Sequence, residues 1–354
     1  MSEKIEARKI EENVSIIHSL KKMDSLGVKS LIVVDEKNIF KGILSIGDIQ
    51  RAIIKGLSLD ISVSEILRSN TKYARENDSF DDIKSMMIHY RMELCPVIEN
   101  NQWIKEVYFW EDIFPMQTPQ IRANFKVPVV LMAGGFGTRM RPLTYILPKP
   151  LIPVGEKTIL QEIFDSFYKY GCTEFYTSVN YKADFIKDFV DKLNLPYQVN
   201  YFEEDKPLGT AGSLQLLKKK INTTFFVHNC DIIIDNDYSE ILDYHNHNKN
   251  EITIVAALKH FPIAYGTIET GENGELISLS EKPEMTFKIN SGLYILEPHL
   301  LNDIPDNQFF HITDLIKLIK ERQGKIGVFP VSEKSWTDIG NWEEYLKVVK
   351  NTNQ

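Results

Sequence analysis

The chain has 354 residues, a formal net charge of −8, 43% hydrophobic and 25% charged residues. That length suggests two or three domains with ordinary apolar cores, and the acidic balance argues against nucleic acid as a partner. Cys95, Cys172 and Cys230 stand too far apart for a metal-ligand pair or a disulfide framework; the polar start MSEKIEARK has no signal-peptide core and no apolar run could span a bilayer, so no membrane partner and a cytoplasmic location are expected.

Residues 1–114 read as one unit written twice. Glu12-Asn13-x-Ser15 recurs 64 positions later (76 − 12) as Glu76-Asn77-x-Ser79. At the same offset Met23 recurs as Met87, the apolar run Leu31 to Val34 as Cys95 to Ile98, and Asp48-Ile49 as Asp112-Ile113. Each copy predicts a helix (Ser15 to Leu26; Asp81 to Tyr90), a strand, a short turn, a second strand and a helix start. The copies span 1–56 and 57–116. The polar stretch Pro115 to Pro128, with three prolines and no period, reads as a connection, centred on 117–126. The remainder, 127–354, forms the second domain.

The strand–turn–strand–helix core VKSLIVVDEKNIFKGILSIGDIQRAI resembles that of a CBS domain pair. The second copy departs from it, with Phe109 for Ser45 and Arg91 for Gly27. The resemblance implies a nucleotide in the cleft between copies, an adenine nucleotide or another, with Asp48 on the ribose and Ser45 on phosphate. A carboxylate can accept two ribose hydroxyls. The same Asp48 also fits the first turn of a helix, where the dipole favours an acid, and both readings stand. For Asp112, beside Phe109 and Trp110, the helix-start reading is preferred. CBS pairs commonly associate face to face, so a homo-oligomer is expected.

The stretch Val129 to Val154, VVLMAGGFGTRMRPLTYILPKPLIPV, organises the second domain. Val129 to Met132 predicts a buried strand. It breaks into Ala133, Gly134, Gly135, Gly137 and Thr138, small residues that let backbone N–H groups approach a phosphate. Arg139, Arg141 and Lys149 follow, and no Asp or Glu occurs from Ile113 to Gly155, so a polyanion meets no local acid here. The P-loop pattern is absent, and the dinucleotide fingerprint lacks its third glycine because Gly135-x-Gly137 runs into Thr138, Arg139 and Met140.

A helix is predicted over Thr158 to Tyr170, a strand over Phe175 to Val179, a helix over Ala183 to Leu193, a helix over Ser213 to Lys219 and a strand over Phe225 to Val227. This alternation indicates a parallel, doubly wound α/β sheet, with ligands beyond the carboxyl ends of the strands. Glu204-Asp205-Lys206-Pro207-Leu208-Gly209-Thr210-Ala211-Gly212 leaves room for a flat ring, with exposed backbone amides to read its edge. Asn229-Cys230-Asp231 follows the strand at Phe225, and an acid at a strand's end suits Mg²⁺. His245 and His247 read as a polar helix end rather than a metal site. Ile252 to Leu258 is another strand, and Trp342 to Lys350 a closing helix. Between them lie Tyr265-Gly266, Ser280-Glu281-Lys282-Pro283, Asn290-Ser291-Gly292 and Trp336-Thr337-Asp338.

Glycines, Arg139 and the Pro148-Lys149-Pro150 clamp resemble the signature of the sugar-1-phosphate nucleotidyltransferases, and the later motifs extend that resemblance to about Lys347. It implies a Rossmann-like, doubly wound (GT-A-like) nucleotidyltransferase domain behind the tandem α+β CBS pair. It further implies nucleotide binding by Ala133, Gly134, Gly135, Gly137, Thr138, Leu208, Gly209 and Thr210. Sugar-phosphate binding falls to Gly266, Glu281, Lys282 and Asn290, Mg²⁺ ligation to Asp231 and Asp338, and catalysis to Arg139, Lys149, Asp231 and Asp338. Cys230 stands where the family usually has Gly. Pro-Leu-Gly-Thr-Ala-Gly is similar to the mannose-1-phosphate guanylyltransferase branch, which points to GTP. The fusion to a CBS pair resembles enzymes of bacterial legionaminic acid routes, which points to glucosamine-1-phosphate. Mannose-1-phosphate, a cytidylyl or uridylyl enzyme, and a CBS nucleotide sensor with a silent transferase domain are the alternatives.

Overall fold

The computed structural model describes residues 3–90, 92–114 and 125–352. The chain divides into two compact units, one up to residue 120 and one from residue 121. Arg91, the centre of the expected connection and residues 115–124 generally lie outside the described residues.

The N-terminal unit repeats one topology. After a short helix α1 (Glu3–Ala7), the first copy runs β1 (Lys9–Glu11), α2 (Ile16–Leu26), β2 (Ser30–Val34), β3 (Phe40–Ser45) and α3 (Ile46–Ile54). The second runs β4 (Ala74–Arg75), α4 (Phe80–Tyr90), β5 (Leu94–Ile98), β6 (Ile104–Phe109) and α5 (Trp110–Ile113). In each, the first strand pairs parallel with the second, which pairs antiparallel with the third. The helix α4 begins 64 residues after α2 (80 − 16), and β6 begins 64 after β3 (104 − 40). The offset seen in the sequence is thus the offset of the fold. Ile32, Val34 and Ile43 from one copy share a core with Leu94, Ile98 and Val107 from the other. Neither three-stranded sheet could bury its face alone.

The C-terminal unit is built on a seven-stranded sheet. Its strands and helices in chain order are β7 (Val129–Met132), the small hairpin β8 (Pro153–Val154) and β9 (Lys157–Thr158), α6 (Ile159–Tyr168), β10 (Glu174–Val179), α7 (Ala183–Asp191), β11 (Gln198–Glu203), α8 (Gly209–Gly212), β12 (Phe225–Asn229), β13 (Ile232–Ile234), α9 (Tyr238–Asn248), β14 (Ile252–Pro262), β15 (Thr267–Thr270), β16 (Leu276–Ser280), β17 (Glu284–Leu296), α10 (Ile312–Glu321), β18 (Ile326–Ser332), β19 (Trp336–Asp338) and α11 (Trp342–Thr352). The sheet order is β11-β10-β7-β12-β17-β14-β18.

Successive residues of the central strands serve opposite layers. Val129 and Leu131 face α6, where Phe164 and Phe167 are fully buried. Val130 faces the layer of α10, with Leu315 and Ile319. Both faces are therefore apolar, which explains why Val129 to Met132 reads as an unbroken hydrophobic run. Each buried Phe contributes roughly 1.5–3 kcal/mol by burial. Helix α6 starts where expected because Thr158 and Gln161 form a capping box, each side chain meeting the other's backbone N–H.

Two expectations are corrected. The sheet is mixed rather than parallel: β17 runs antiparallel to both β12 and β14. The chain leaves β14 through the β15–β16 hairpin and returns directly along β14, which requires an antiparallel partner. Second, no regular helix spans Ser213 to Lys219. The turn begins earlier, at Gly209, and continues as a 3₁₀ segment over Ser213–Leu217. No helix among the described residues is long and apolar enough to cross a membrane.

Candidate active site

The parallel strands β7, β10, β11 and β12 all end at one edge of the sheet, and their following residues converge there. In register, Met132 pairs with Ser178 on one side and Asn229 on the other. The Gly-rich loop, Asn180, Glu204 and Asp231 are therefore brought together from four strand ends.

A cleft of about 360 Å³ opens at this edge. Its walls include Ala133, Gly134, Gly135, Gly137, Thr138, Arg139, Lys149, Gly209, Thr210 and Asp231. A second hollow of about 180 Å³ adjoins it, lined by Asn290, Tyr294, Trp336 and Asp338. Arg139, Asn229 and Asp231 belong to both. They stand where a ligand in one chamber would meet a ligand in the other.

The loop is held rigidly from beneath. Gly137 has φ +61° and the Thr144 hydroxyl donates to its carbonyl at 2.9 Å. A Cβ at Gly137 would lie 2.8 Å from Thr144 Cγ2, so only glycine fits. Met140 is fully buried and anchors the short 3₁₀ turn that presents Arg139. Lys149 starts another such turn behind Pro148. Its Nζ lies 2.8 Å from Asp231 Oδ2, and Arg139 Nη2 lies 3.8 Å from the same oxygen. The Lys149 side chain is only 12% exposed, whereas that of Arg139 is 67% exposed.

Asp231 and Asp338 are joined by a two-stranded ladder. Ile232 of β13 pairs with Asp338 of β19, and the Ile339 N–H donates to the Asp231 carbonyl at 2.7 Å. The Gly340 N–H donates to Asp338 Oδ1 at 2.6 Å. Two carboxylates held by one ladder at the edge of a cleft offer hard oxygen donors of the kind Mg²⁺ takes, completed by phosphate and water. Among the described residues no cluster of three His, Cys, Asp or Glu forms a closed metal cage.

The remaining expected residues separate. Asn290 lines the second hollow, its Oδ1 accepting from the Gly292 N–H at 3.2 Å. Gly266 and Glu281 meet each other, since a Cβ on Gly266 would lie 3.0 Å from Glu281 Oε2. They and Lys282 sit on the exposed β14–β17 arm and line neither chamber. Leu208 is buried, and its contribution is an N–H donated to Glu204 Oε2 at 2.9 Å. Cys230 is buried beside Asp231, and burial pushes its thiol far above the usual range. His245 and His247 lie in the last turn of α9, as expected; His247 is exposed, while His245 is buried, with Nδ1 2.8 Å from Thr253 Oγ1 and Nε2 3.1 Å from Glu297 Oε1. In the N-terminal unit Asp48 is 3% exposed. It closes a capping box with Ser45 and pairs with Arg51 and Arg68. A ribose there would compete with two guanidinium groups. Asp112 lies in the first turn of α5 and pairs with Lys4 at 2.9 Å.

The nucleotidyl transferase family matches residues 128–354. The chain belongs to that family. Residues 3–55 match the CBS domain family. Within the nucleotidyl transferase relatives, the chain is 33% identical over 226 residues to a mannose-1-phosphate guanyltransferase of Aspergillus oryzae, covering 61% of this chain and 62% of that protein. It is 35% identical over 182 residues to the mannose-1-phosphate guanylyltransferase catalytic subunit beta of Dictyostelium discoideum, covering 49% and 51%. The chain thus spans between half and about three fifths of the length of these curated relatives. The crystal structure of HddC from Yersinia pseudotuberculosis matches with a TM-score of 0.51 at 28% identity, covering 64% of this chain and 99% of that one. HddC has also been solved complexed with GMP-PN.

Several residues of this site are given no role by the sequence. Asn229 lies at the junction of the chambers, and Gly292, at φ +90°, makes room for it: a Cβ there would lie 2.8 Å from Asn229 Nδ2. Glu204 accepts from the Ser178 hydroxyl at 2.9 Å. His228, one residue before Asn229, is fully buried with its ring 5.6 Å from that of Phe167. Burial holds its pKa down to about 4, opposed by the Asn229 carbonyl at 2.7 Å from Nδ1 and by the Asp231 charge.

That histidine gives the fold an acid limit. Its folded pKa lies below the unfolded value of about 6.5, so the unfolded chain binds the proton first. Its contribution is intact above about pH 6.5 and is lost as pH falls through about 4, a total of roughly 3 kcal/mol. Denaturant unfolding at about pH 7 and about pH 5 should show a larger loss for the wild type than for His228→Gln. Equal losses would assign the acid limit to other groups.

Proposed function

We propose that the C-terminal unit transfers a nucleotidyl group from GTP to a sugar-1-phosphate, giving a GDP-sugar and pyrophosphate. The observation that carries this reading is the pair of adjoining chambers sharing Arg139, Asn229 and Asp231. Two anions must be brought together, so the chemistry is chiefly positioning and charge neutralisation. The loop N–H groups from Gly134 to Thr138 cradle the polyphosphate. Arg139 holds the β- and γ-phosphates and neutralises the leaving pyrophosphate. Lys149 lies where the α-phosphate and the incoming sugar phosphate meet. The sugar phosphate oxygen attacks the α-phosphorus and pyrophosphate leaves in line. The attacking phosphate is already ionised, so no general base is needed. Asp231 and Asp338 would hold Mg²⁺, which supplies positive charge against the phosphate oxygens when bound.

GTP is supported by the guanylyl names of the curated relatives and by the GMP-PN complex of HddC. We take glucosamine-1-phosphate as the acceptor, with mannose-1-phosphate as the rival that those relatives favour. Lys282, on the exposed arm, would orient the acceptor phosphate. The N-terminal unit is proposed to bind a nucleotide, which would show as a calorimetric binding step with AMP or ATP on the full chain that Asp48→Ala removes.

Pyrophosphate release measured for each of four NTPs against glucosamine-, N-acetylglucosamine-, mannose- and glucose-1-phosphate tests the reading. GTP with one sugar phosphate should stand out. Release that does not depend on a sugar phosphate would overturn it.

A further inference from the structure

Three residues belong to both chambers, Arg139, Asn229 and Asp231. Arg139 is taken up by the leaving group and Asp231 by the metal; Asn229 is taken up by neither. Its place is nevertheless fixed from three sides. It ends β12 and pairs with Met132 of β7. The His228 Nδ1 lies 2.7 Å from its backbone carbonyl, and because a carbonyl only accepts, that nitrogen carries the proton. Its amide lies against Gly292 in the smaller hollow, where a Cβ would come within 2.8 Å of Nδ2. Despite this support, the half-buried side-chain amide makes no hydrogen bond among the described residues.

The smaller hollow has to take a phosphate dianion, because the acceptor is a phosphate monoester. Among the described residues its charged groups are one cation, Arg139, and two acids, Asp231 and Asp338. Arg139 also faces the polyphosphate; Lys149 lines the larger cleft only, and Lys282 lines neither. The Ser291 hydroxyl is spent on the Val255 carbonyl at 2.8 Å, and the Trp336 indole N–H on the Ser291 carbonyl at 3.2 Å. Asn229 keeps two unspent amide N–H groups at the boundary where the attacking oxygen must stand. A neutral donor suits that position. A cation would draw charge from the oxygen that attacks, whereas an amide orients the phosphate and leaves its charge in place.

We infer that Asn229 is a substrate-contacting residue whose amide donates to a non-attacking oxygen of the acceptor's phosphate and so aims the oxygen that attacks. This rests on the transferase reading above and adds a residue to its acceptor side. His228 and Gly292 act through Asn229 and are positioning residues.

The test uses the full chain, with glucosamine-1-phosphate and mannose-1-phosphate as acceptors. Asn229→Ala should lower kcat/KM for the acceptor by about ten- to a hundred-fold, the scale of one hydrogen bond to a charged group. KM for GTP should stay within about two-fold of wild type. Asn229→Asp keeps the shape but turns a carboxylate on the phosphate, so it should lose more than Asn229→Ala. A packing role gives the reverse order, since Asp fills the space that Ala leaves empty. Asp at least as active as Ala would therefore overturn the assignment. A loss that falls on KM for GTP would overturn it in favour of the nucleotide. Titration calorimetry reads the contact without turnover. Each sugar phosphate is added to the chain saturated with Mg²⁺ and a GTP analogue whose α- and β-phosphorus atoms are joined by an uncleavable methylene group. Wild type should bind one of them at least about ten-fold more tightly than Asn229→Ala. Glucosamine and mannose without the phosphate should not distinguish the two proteins. Equal binding by wild type and variant would overturn the assignment, as would an equal loss for the free sugars, which would put Asn229 on the sugar ring. If neither acceptor is turned over, the transferase reading fails on its own, and the calorimetric order of the three proteins still decides Asn229.

Discussion

Asp231→Asn is expected to lower kcat by a factor on the order of 10² or more, and Asp338→Asn by a similar factor. The backbones of the two residues are held together by the Ile232–Asp338 pairing and the Ile339 N–H bond to the Asp231 carbonyl, and both line the second hollow. Asn keeps the shape and removes the charge, so folding should change little. The variants should also need more Mg²⁺ to reach half-maximal rate, which a loss of structure would not produce. Asp231 carries a second consequence, because it is the partner of Lys149. Its replacement frees that lysine to bind phosphate more tightly, so KM for GTP should hold or fall while kcat drops. Near-normal turnover at saturating Mg²⁺ in either variant would remove that residue from the metal assignment.

Lys149→Ala is expected to cost about 10²–10³-fold in kcat, the scale of removing one preorganised donor from a developing charge. Its ammonium is largely withdrawn from solvent, which strengthens its field compared with that of the exposed Arg139. Arg139→Ala should therefore be the milder change in kcat and act chiefly on the use of GTP. Lys149→Ala should depress kcat with every sugar phosphate. The thermal midpoint, followed in parallel, separates this from damage through the unpaired Asp231. Equal kinetic losses for Arg139→Ala and Lys149→Ala would contradict the division of roles drawn from their burial.

Much of this was legible in the sequence for identifiable reasons. The repeat showed because both copies keep their strands and helices at one spacing, so Leu31 to Val34 and Cys95 to Ile98 occupy equivalent strands. Strand β7 showed because both of its faces are buried. Arg139, Lys149, Asp231 and Asp338 showed because they lie inside motifs. Their contact did not: Lys149 and Asp231 are 82 positions apart and meet only through the sheet. The antiparallel strand β17 was hidden because its first half, up to Asn290, is exposed except at Thr286 and Ile289 and so lacks the two-residue period, while its second half is fully buried. Glu204 showed as the head of the stretch that leaves room for a flat ring, but its own bonds did not. Only the Ser178 and Leu208 bonds reveal that it is held. His228 was hidden inside an apolar run in which nothing marks a buried imidazole. The Gly209 turn was hidden because four small residues carry no apolar period.

The central claim is that the bond broken lies between the α- and β-phosphates and that the α-phosphate goes to the sugar phosphate. It is tested most directly by supplying GTP labelled at either the α- or the γ-position, with Mg²⁺ and the preferred sugar-1-phosphate, and following the label. The α-label should appear in a GDP-sugar and the γ-label in pyrophosphate, in equal amounts. Appearance of the γ-label in a sugar bisphosphate or in free phosphate, with none of the α-label in a GDP-sugar, would contradict it.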